Sequence, residues 1–423
     1  RPSFAVIRGR YERPGDTGEV SHFKALTSAL SGTVGLGNIA GVAVAISLGG
    51  PGAVFWMWMT AIFGMTLKYS ECTLANMYRH VNEDGRVLGG PMMYLERGLP
   101  EIHPALKPVG KFLAVLFAVL AIFAAFGGGN LFQSNQTVTL VLTQFTDDPN
   151  NGVLRVLLGS VLAFLVGIVI IGGIGRIGEV SSRLVPTMCA GYSLVCLWII
   201  GANIAEVPHM FATIFAGAFS PEAGFGGFIG VLVQGMRRAA FSNEAGLGSA
   251  AIAHAAAKTN EPIREGVVAL AEPFIDTICV CTMTALAILA TQVHTTDVEA
   301  GIPMTLAAFQ DSGFLSGIAP YLLTIAVFVF AYSTILSWGY YGERSVEYLV
   351  GTRGIIPWRC VYVMMVVVGP MLSLTNIIDF SDMLLLSMAF PNILGMVILS
   401  GKMRRMGEDY IRRLKSGEMK PEW

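Results

Sequence analysis

The chain has 423 residues, of which 53% are hydrophobic and 13% charged, and its formal net charge is −1. A soluble protein carries about 25% charged residues, so this composition excludes an ordinary soluble domain and indicates a protein of the lipid bilayer. The sequence has no basic run interleaved with aromatic residues, which excludes nucleic acid as a partner and leaves membrane lipid as the expected surrounding.

A membrane-spanning helix needs about 20 apolar residues, and ten segments meet this requirement. In chain order, these predicted spans one to ten cover residues 25–48, 53–77, 110–142, 153–174, 184–202, 226–257, 266–292, 317–341, 358–377 and 381–400. Two connections predict helices too short to cross. Residues 206–219 form an amphipathic pattern typical of a helix on the outer surface. Residues 301–310 begin with Gly-Ile-Pro, a helix start, and would cap the entrance.

Basic residues are unevenly distributed among the connections. Most of the 28 Lys and Arg residues lie before span one, in alternate connections or in the tail, and the exceptions include Arg155, Arg237 and Arg238. The other connections carry mainly Asp and Glu. Basic connections stay in the cytoplasm, so we predict that both chain ends are cytoplasmic in a bacterial-type inner membrane. Residues 401–423 are predicted to form a solvated cytoplasmic tail.

Residues 31–41, with the sequence SGTVGLGNIAG, interrupt span one with four glycines. Gly costs about 1 kcal/mol relative to Ala inside a helix. Irregular backbone in a membrane is tolerated only where it is buried in protein or lines a wet cavity. We therefore predict that one half-helix ends near Val34 and that the next begins near Gly37. Carbonyl groups of the first half and N–H groups of the second would then face a binding cavity.

Span six contains a second break at residues 241–249, with the sequence FSNEAGLGS, and the Gly-Leu-Gly of residues 35–37 recurs there at 246–248. The two broken spans are five places apart in the chain, so the interrupted helices cross in opposite directions. This pattern is typical of an inverted repeat with its site between two discontinuous helices. We expect an all-α fold of two five-helix repeats, residues 1–202 and 203–400. Alternatively, Gly-Leu-Gly only permits close helix packing.

The free backbone groups of the first break suit a zwitterion, whose ammonium meets carbonyls and whose carboxylate meets N–H groups. Span one has no Asp or Glu to balance a lone amine, which favours an amino acid over a monoamine. In span eight, Ser333 and Thr334 offer hydroxyl oxygens to an alkali cation. The alternative is that these hydroxyls bond back to their own helix.

Other spans offer walls for such a cavity. Phe241 and Trp338 would restrict it to a small side chain, and Trp338 shares a helical face with Thr334. Gln133 follows three glycines in span three, and we expect it in the substrate shell because its amide both donates and accepts. The alternatives are aromatic packing for Phe241 and Trp338 and helix–helix hydrogen bonding for Gln133.

Acidic residues within spans are functional candidates, and we single out Glu71, Glu244, Glu272 and Asp276. We expect ion pairs for Glu71 and Glu272. Glu244 could carry a proton, or it could pair with Arg237 or Arg238 and gate the outer vestibule. The sequence leaves both roles of Glu244 open.

Two further protein classes are disfavoured. A channel needs a continuous polar stripe, and the spans show isolated breaks instead. A membrane enzyme needs a catalytic constellation, and His254, the one histidine within a predicted span, has no obvious partner in the sequence. We expect His254 to have a packing role, and we predict that the protein is not an enzyme.

Residues 31–58, 172–182 and 237–262 closely resemble the alanine/glycine:cation symporter family, and the similarity extends over essentially the whole chain. This family is similar to the leucine-transporter (LeuT) fold of the APC superfamily. The resemblance implies ten helices with helices one and six discontinuous, alanine and glycine as substrates with D-alanine as a further candidate, co-transported Na+ and no organic cofactor. Family members usually have one more span upstream, which fits a chain that begins at Arg1.

The resemblance also implies roles for individual residues. The substrate neighbours would be Gly32, Thr33, Leu36, Gly37, Asn38, Gln133, Phe241, Asn243, Thr334 and Trp338. Sodium would be held by the carbonyls of Ser31 and Val34 and by the hydroxyls of Ser333 and Thr334. Thr33, Asn38 and Ser242 match a second sodium site of that fold, which we do not expect this family to use.

We therefore predict a sodium-coupled symporter that imports small neutral amino acids by alternating access. Two alternatives remain open: a proton-coupled carrier that uses Glu244, and an amino-acid sensor that does not transport. The residues give no indication of the oligomeric state.

Overall fold

The computed structural model describes residues 2–13, 15–83, 85–220 and 227–419. These residues are almost entirely helical, and a short antiparallel sheet pairs His80–Val81 with Val87–Leu88. The predicted all-α fold class is confirmed. The helices that correspond to the ten predicted spans are called helices one to ten below.

The long helices are His22–Thr33 with Val42–Gly49 (one), Ala53–Tyr78 (two), Lys107–Phe126 with Phe132–Phe145 (three), Gly152–Ile170 (four), Gly173–Ala202 (five), Gly227–Asn243 with Ser249–His254 (six), Pro262–Ala290 (seven), Ala319–Val350 (eight), Ile355–Val368 (nine) and Leu374–Ser416 (ten). Shorter helices and single 3-10 turns occupy Pro2–Ile7, Pro91–Ile102, Pro104–Leu106, Ile204–Glu206, Val207–Phe219, Val293–Thr295, Ile302–Gln310, Gly313–Leu315, Thr352–Gly354 and Gly369–Met371. In the described part of the chain, seven helices are long and apolar enough to cross a membrane, or eight if the bent helix one counts as one span.

Helix one is broken where its glycines predict. Ser21 caps its start by accepting a hydrogen bond from the Lys24 N–H group (3.3 Å), as Ser commonly does at this position. The helix ends at Thr33, resumes as the π-helical turn Gly37–Gly41, and its two halves are inclined by 49°. Helices three and seven also contain π-helical turns, at Gly127–Leu131 and Phe274–Cys281. Such turns are frequent at functional sites.

Three helices are longer than the sequence predicts. Helix five begins at Gly173 instead of residue 184, helix eight continues to Val350 instead of ending at residue 341, and helix ten runs from Leu374 to Ser416 instead of from 381 to 400. These extensions contain charged residues, which lower the hydropathy without interrupting the helix. Helix nine is shorter and ends at Val368 instead of residue 377. Beyond residue 400, Tyr410 packs with Ile263 and Met419 in a small apolar cluster, so this stretch is not uniformly solvated.

Helix packing brings the two breaks together. The first half of helix one contacts helices five and eight, and its π-helical turn contacts the first half of helix six. Helices eight and ten both pack against Gly127–Leu131 of helix three. The short helix Ile302–Gln310 also packs against the π-helical turn of helix one, where the Thr305 hydroxyl donates to the Ile39 carbonyl (3.4 Å). Val207–Phe219 buries only Met210, Ile214 and Ala218, in keeping with the predicted amphipathic pattern.

Candidate functional site between two broken helices

The break in helix one is held by side chains. The Gly35 N–H group donates to the side-chain oxygen of Asn38 (2.9 Å), and the Leu36 N–H group donates to the side-chain oxygen of Gln133 (3.3 Å). Buried backbone N–H groups need such partners because an unpaired one is costly. The Gln133 amide nitrogen in turn donates to the Gly128 carbonyl (2.9 Å). Gln133 therefore makes the helix–helix hydrogen bond of its alternative interpretation and connects helix three directly to the break.

The break in helix six lies between Asn243 and Ser249. Glu244 has a φ of 55°, the left-handed region that a residue with a side chain rarely adopts. The Asn243 side chain bridges the break to helix seven, because its oxygen accepts from the Ala245 N–H group (3.0 Å) and its nitrogen donates to the Thr277 hydroxyl (3.0 Å). Strained backbone of this kind is concentrated at functional sites.

A small cavity lies between the two breaks. It has room for about one water molecule. The cavity is lined by Gly32, Thr33, Gly35, Gly37, Gly128, Gln133, Phe241, Glu244, Thr334, Trp338 and Leu385. Most of the predicted substrate neighbours are thus brought together around one tight space.

Aromatic side chains form part of the cavity wall. Trp338 is 2% exposed and donates from its indole nitrogen to a Glu244 carboxylate oxygen (2.8 Å). It packs so closely on helix three that a Cβ on Gly129 would lie 2.3 Å from the Cβ of Trp338. Phe241 meets Phe132 edge to face, with ring centroids 5.0 Å apart. These contacts leave neither ring free to withdraw without repacking.

Hydroxyl and carbonyl oxygens cluster where helices one and eight meet. The Thr334 hydroxyl donates to the Ser31 carbonyl (3.0 Å), and the Ser31 hydroxyl donates to the Ser333 carbonyl (2.7 Å). The Ser333 hydroxyl donates to Phe330 of its own helix (2.9 Å), as the alternative for this residue predicted. Val34 follows the last residue of the half-helix, so its carbonyl has left the helical hydrogen-bond ladder. A buried set of neutral oxygens suits an alkali cation.

Three of the predicted substrate neighbours lie behind the cavity wall. Leu36, Asn38 and Asn243 are fully buried but are not among the lining residues. The Asn38 amide nitrogen donates to a carboxylate oxygen of Asp276 (2.7 Å), and the Ser242 hydroxyl donates to the other one (2.7 Å). Asp276 therefore ties both breaks to the π-helical turn of helix seven.

The arginines proposed as partners of Glu244 bind elsewhere. Arg237 pairs with Asp382 of helix ten (2.8 Å), and Arg238 contacts the same carboxylate while lying over the Phe241 ring (5.1 Å). Glu244 accepts hydrogen bonds from Trp338 and Ser249 instead. The interpretation of Glu244 as the partner of these arginines is corrected accordingly, because its carboxylate faces the cavity.

Sequence reasoning missed several residues at this site. Asp382 is an acidic residue inside predicted span ten, so it carried the same signal as the other acidic candidates. Leu385 lines the cavity without any distinguishing pattern in the sequence, whereas Gly128 belongs to the run of three glycines that precedes Gln133. The expectation that His254 only packs is wrong, because both of its ring nitrogens contact carboxylates, Nδ1 that of Glu265 (2.6 Å) and Nε2 that of Glu272. The ion pairs expected for Glu71 and Glu272 are present and share Lys68.

Two discontinuous helices that meet at a closed cavity within an all-α bundle define a membrane transporter of the LeuT fold. The solved structure of MhsT in complex with L-phenylalanine has this fold, with a TM-score of 0.62, 15% identity and coverage of 91% of this chain and 89% of that one. The substrate-bound outward-open structure of a Na+-coupled sialic acid symporter gives a TM-score of 0.57, 14% identity and coverage of 94% and 87%.

The chain belongs to the sodium:alanine symporter family, whose profile matches residues 2–423. It is 45% identical over 389 residues to the sodium/alanine symporter AgcS of Methanococcus maripaludis, which covers 91% of this chain and 83% of that protein. The resemblance noted in the sequence is thereby confirmed. The protein is an integral membrane transporter that couples amino-acid transport to a cation, and it is not an enzyme.

Proposed function

We propose that this protein is a sodium-coupled symporter that imports alanine and glycine, with D-alanine as a further substrate. The observation that carries this proposal is the convergence of both helix breaks on one small cavity, with Phe241 and Trp338 in its wall. Backbone groups of helix one would hold the zwitterion, and the two rings leave room for little beyond a methyl group. Leu36, Asn38 and Asn243 would support this backbone from behind.

The cation site would lie beside the cavity, at Ser31, Val34, Ser333 and Thr334. Thr334 both lines the cavity and bonds to the Ser31 carbonyl, so the ion and the amino acid would share this side chain. One Na+ that crosses about 100 mV with a tenfold gradient supplies about 3.7 kcal/mol, enough for about 500-fold accumulation. A single ion would therefore be sufficient.

The proposed transport path runs between two inverted repeats, residues 1–202 and 203–400, in a bacterial-type inner membrane. The basic connections favour cytoplasmic chain ends, which puts the start of helix one on the cytoplasmic side. Alternating access would then open the cavity first to the outside and later to the cytoplasm.

A second candidate function is proton-coupled transport through Glu244. The observation in its favour is that the Glu244 carboxylate lines the cavity and is 2% exposed. Glu244→Gln removes the titratable group while it preserves an oxygen for Trp338. If this variant retains sodium-driven uptake, Glu244 is not the coupling group.

Counterflow of labelled alanine separates a transporter from a sensor. Proteoliposomes loaded with unlabelled alanine should accumulate external labelled alanine transiently when sodium is present on both sides. A sensor binds but does not exchange, so binding of labelled alanine to the purified protein without any counterflow would contradict the proposed function.

Trp338→Ala is expected to broaden the substrate range. The change removes a buried ring and opens the cavity, so leucine and methionine should compete with labelled alanine at least about tenfold better, in line with the 1–3 kcal/mol that pocket shape usually contributes to specificity. Trp198→Ala, an exposed tryptophan of helix five, serves as the control. Unchanged competition in Trp338→Ala would mean that Trp338 does not limit the size of the substrate side chain.

A further inference from the structure

A chain of buried ionisable side chains leads from the start of helix one towards the cavity. None of its members takes part in the proposed binding of substrate or sodium, and each is 0% exposed. They lie on helices one, two, six and seven, and in order of contact they are His22, Glu265, His254, Glu272, Lys68 and Glu71.

His254, the last residue of helix six, lies at the centre of this chain. Its Nδ1 is 2.6 Å from a carboxylate oxygen of Glu265, and its Nε2 contacts a carboxylate oxygen of Glu272. A neutral imidazole carries only one N–H group, whereas the imidazolium carries two. With a neutral imidazole and two carboxylates, only one of the two contacts can be a hydrogen bond. Both are hydrogen bonds when the three side chains share one additional proton. The geometry therefore describes a bound proton.

The surrounding charges balance this proton. The second oxygen of Glu265 contacts Nδ1 of His22, and the second oxygen of Glu272 lies 3.2 Å from the Lys68 ammonium, which is also 3.7 Å from Glu71. The other titratable or charged groups that act on these residues are Glu12, Cys72, Arg79, Tyr94, Glu244, Arg264, Asp276 and Tyr341.

A metal ion fits this place less well than a proton. Ligand atoms of Cys72, His254 and Glu272 lie within 4.8 Å of one another, which is close enough for a shared metal. The Lys68 ammonium, however, already neutralises Glu272 from 3.2 Å and would repel a second cation of higher charge.

The break in helix six links this cluster to the substrate cavity. Glu71 accepts hydrogen bonds from the Gly248 N–H group (3.1 Å) and from the Asn392 side chain (3.0 Å). The next residue, Ser249, donates to Glu244, whose carboxylate lines the cavity. A change in the cluster can therefore reach the cavity through Gly248 and Ser249, two consecutive residues of helix six.

We propose that Glu265, His254 and Glu272 form a proton-binding site, and that the bound proton fastens the inner ends of helices one, six and seven to one another. Loss of the proton turns one of the two contacts into a repulsion between a nitrogen lone pair and a carboxylate. The inner end of the bundle then separates, with His22 leaving Glu265 as helix one moves. Proton binding stands on the geometry alone, whereas its effect on transport rests on the proposed function.

The first test detects the bound proton through the pH dependence of the protein's stability in detergent. The native site holds a proton that a free imidazole releases near pH 6.5. Because the native state binds more protons than the unfolded state, stability falls as the pH rises above about 6.5, by up to about tenfold in the unfolding equilibrium per pH unit. The melting temperature should therefore fall more steeply with pH in the wild type and in His294→Gln than in His254→Gln or Glu272→Gln. Equal slopes in all four proteins would overturn the proposal.

The second test follows alanine uptake into proteoliposomes with a fixed sodium gradient and a fixed external pH. Raising the internal pH from 6 to 8.5 should slow the wild type several-fold, because closing the inner end requires the proton, and should leave His254→Gln or Glu272→Gln nearly unaffected. The same pH response in these variants would overturn the link to the inner gate. If no protein takes up alanine but the melting slopes still differ, the proposed function fails while the proton site stands.

Discussion

Gly35→Ala is expected to lower alanine uptake by about 100-fold or more. A Cβ at this position would lie 2.4 Å from the Thr334 hydroxyl and 3.5 Å from the Gln133 side-chain oxygen. Overpacking of this kind costs about 1–3 kcal/mol, and here the displaced atoms belong to the proposed ion and substrate contacts. Initial rates of uptake into proteoliposomes measure the effect.

Gly191→Ala is the matched control for this substitution. Gly191 lies within helix five, and a Cβ there would meet nothing within 4 Å, so this variant should transport like the wild type. Melting temperatures of both variants show whether a loss of uptake is local or reflects unfolding. A well-folded Gly35→Ala protein with near-normal uptake would mean that the first break is not the binding site.

Thr334→Val is expected to raise the sodium concentration for half-maximal uptake by at least about tenfold. Valine preserves the shape of threonine but removes the hydroxyl that lies 3.0 Å from the Ser31 carbonyl. An interaction with a charged group is worth about 1.5–3 kcal/mol, which corresponds to about 10- to 100-fold in affinity. Sodium titrations of alanine uptake measure the shift.

Ser337→Ala controls for the loss of a hydroxyl between the same two helices. The Ser337 hydroxyl donates to the Ser28 carbonyl (2.8 Å), one turn away from the Thr334 contact. Its removal should change the sodium requirement by less than about twofold, because this hydroxyl is not a proposed ion ligand and its hydrogen bond contributes only to the stability of the fold, by about 1 kcal/mol. Equal sodium curves for both variants would place the ion elsewhere.

The sequence predicted the features that depend on local backbone chemistry. Four glycines within eleven residues predicted the break of helix one, and the structure ends the half-helix at Thr33 and resumes it at Gly37. The recurrence of Gly-Leu-Gly predicted the second break. Hydropathy located all ten helices but not the ends of helices five, eight and ten, because a helix continues past the apolar stretch into charged residues. It also missed the turn at residues 369–373 that separates helix nine from helix ten, because that turn is itself apolar.

Contacts between distant residues were not predictable in the same way. His254 lies 11 residues before Glu265 and 18 before Glu272, on a different helix, and only the packing of helices six and seven brings their side chains together. The pairing of Arg238 with Asp382, 144 residues apart, likewise depends on how helix ten packs. Leu385 was missed because an ordinary leucine becomes a residue of the cavity wall through its position alone.

Alanine uptake into proteoliposomes, compared with and without an inward sodium gradient at equal pH on both sides, tests the central claim most directly. We predict rapid, concentrative uptake with the sodium gradient and its collapse when potassium replaces sodium. Uptake that persists without sodium and follows an imposed proton gradient would contradict sodium coupling and favour Glu244 as the coupling group.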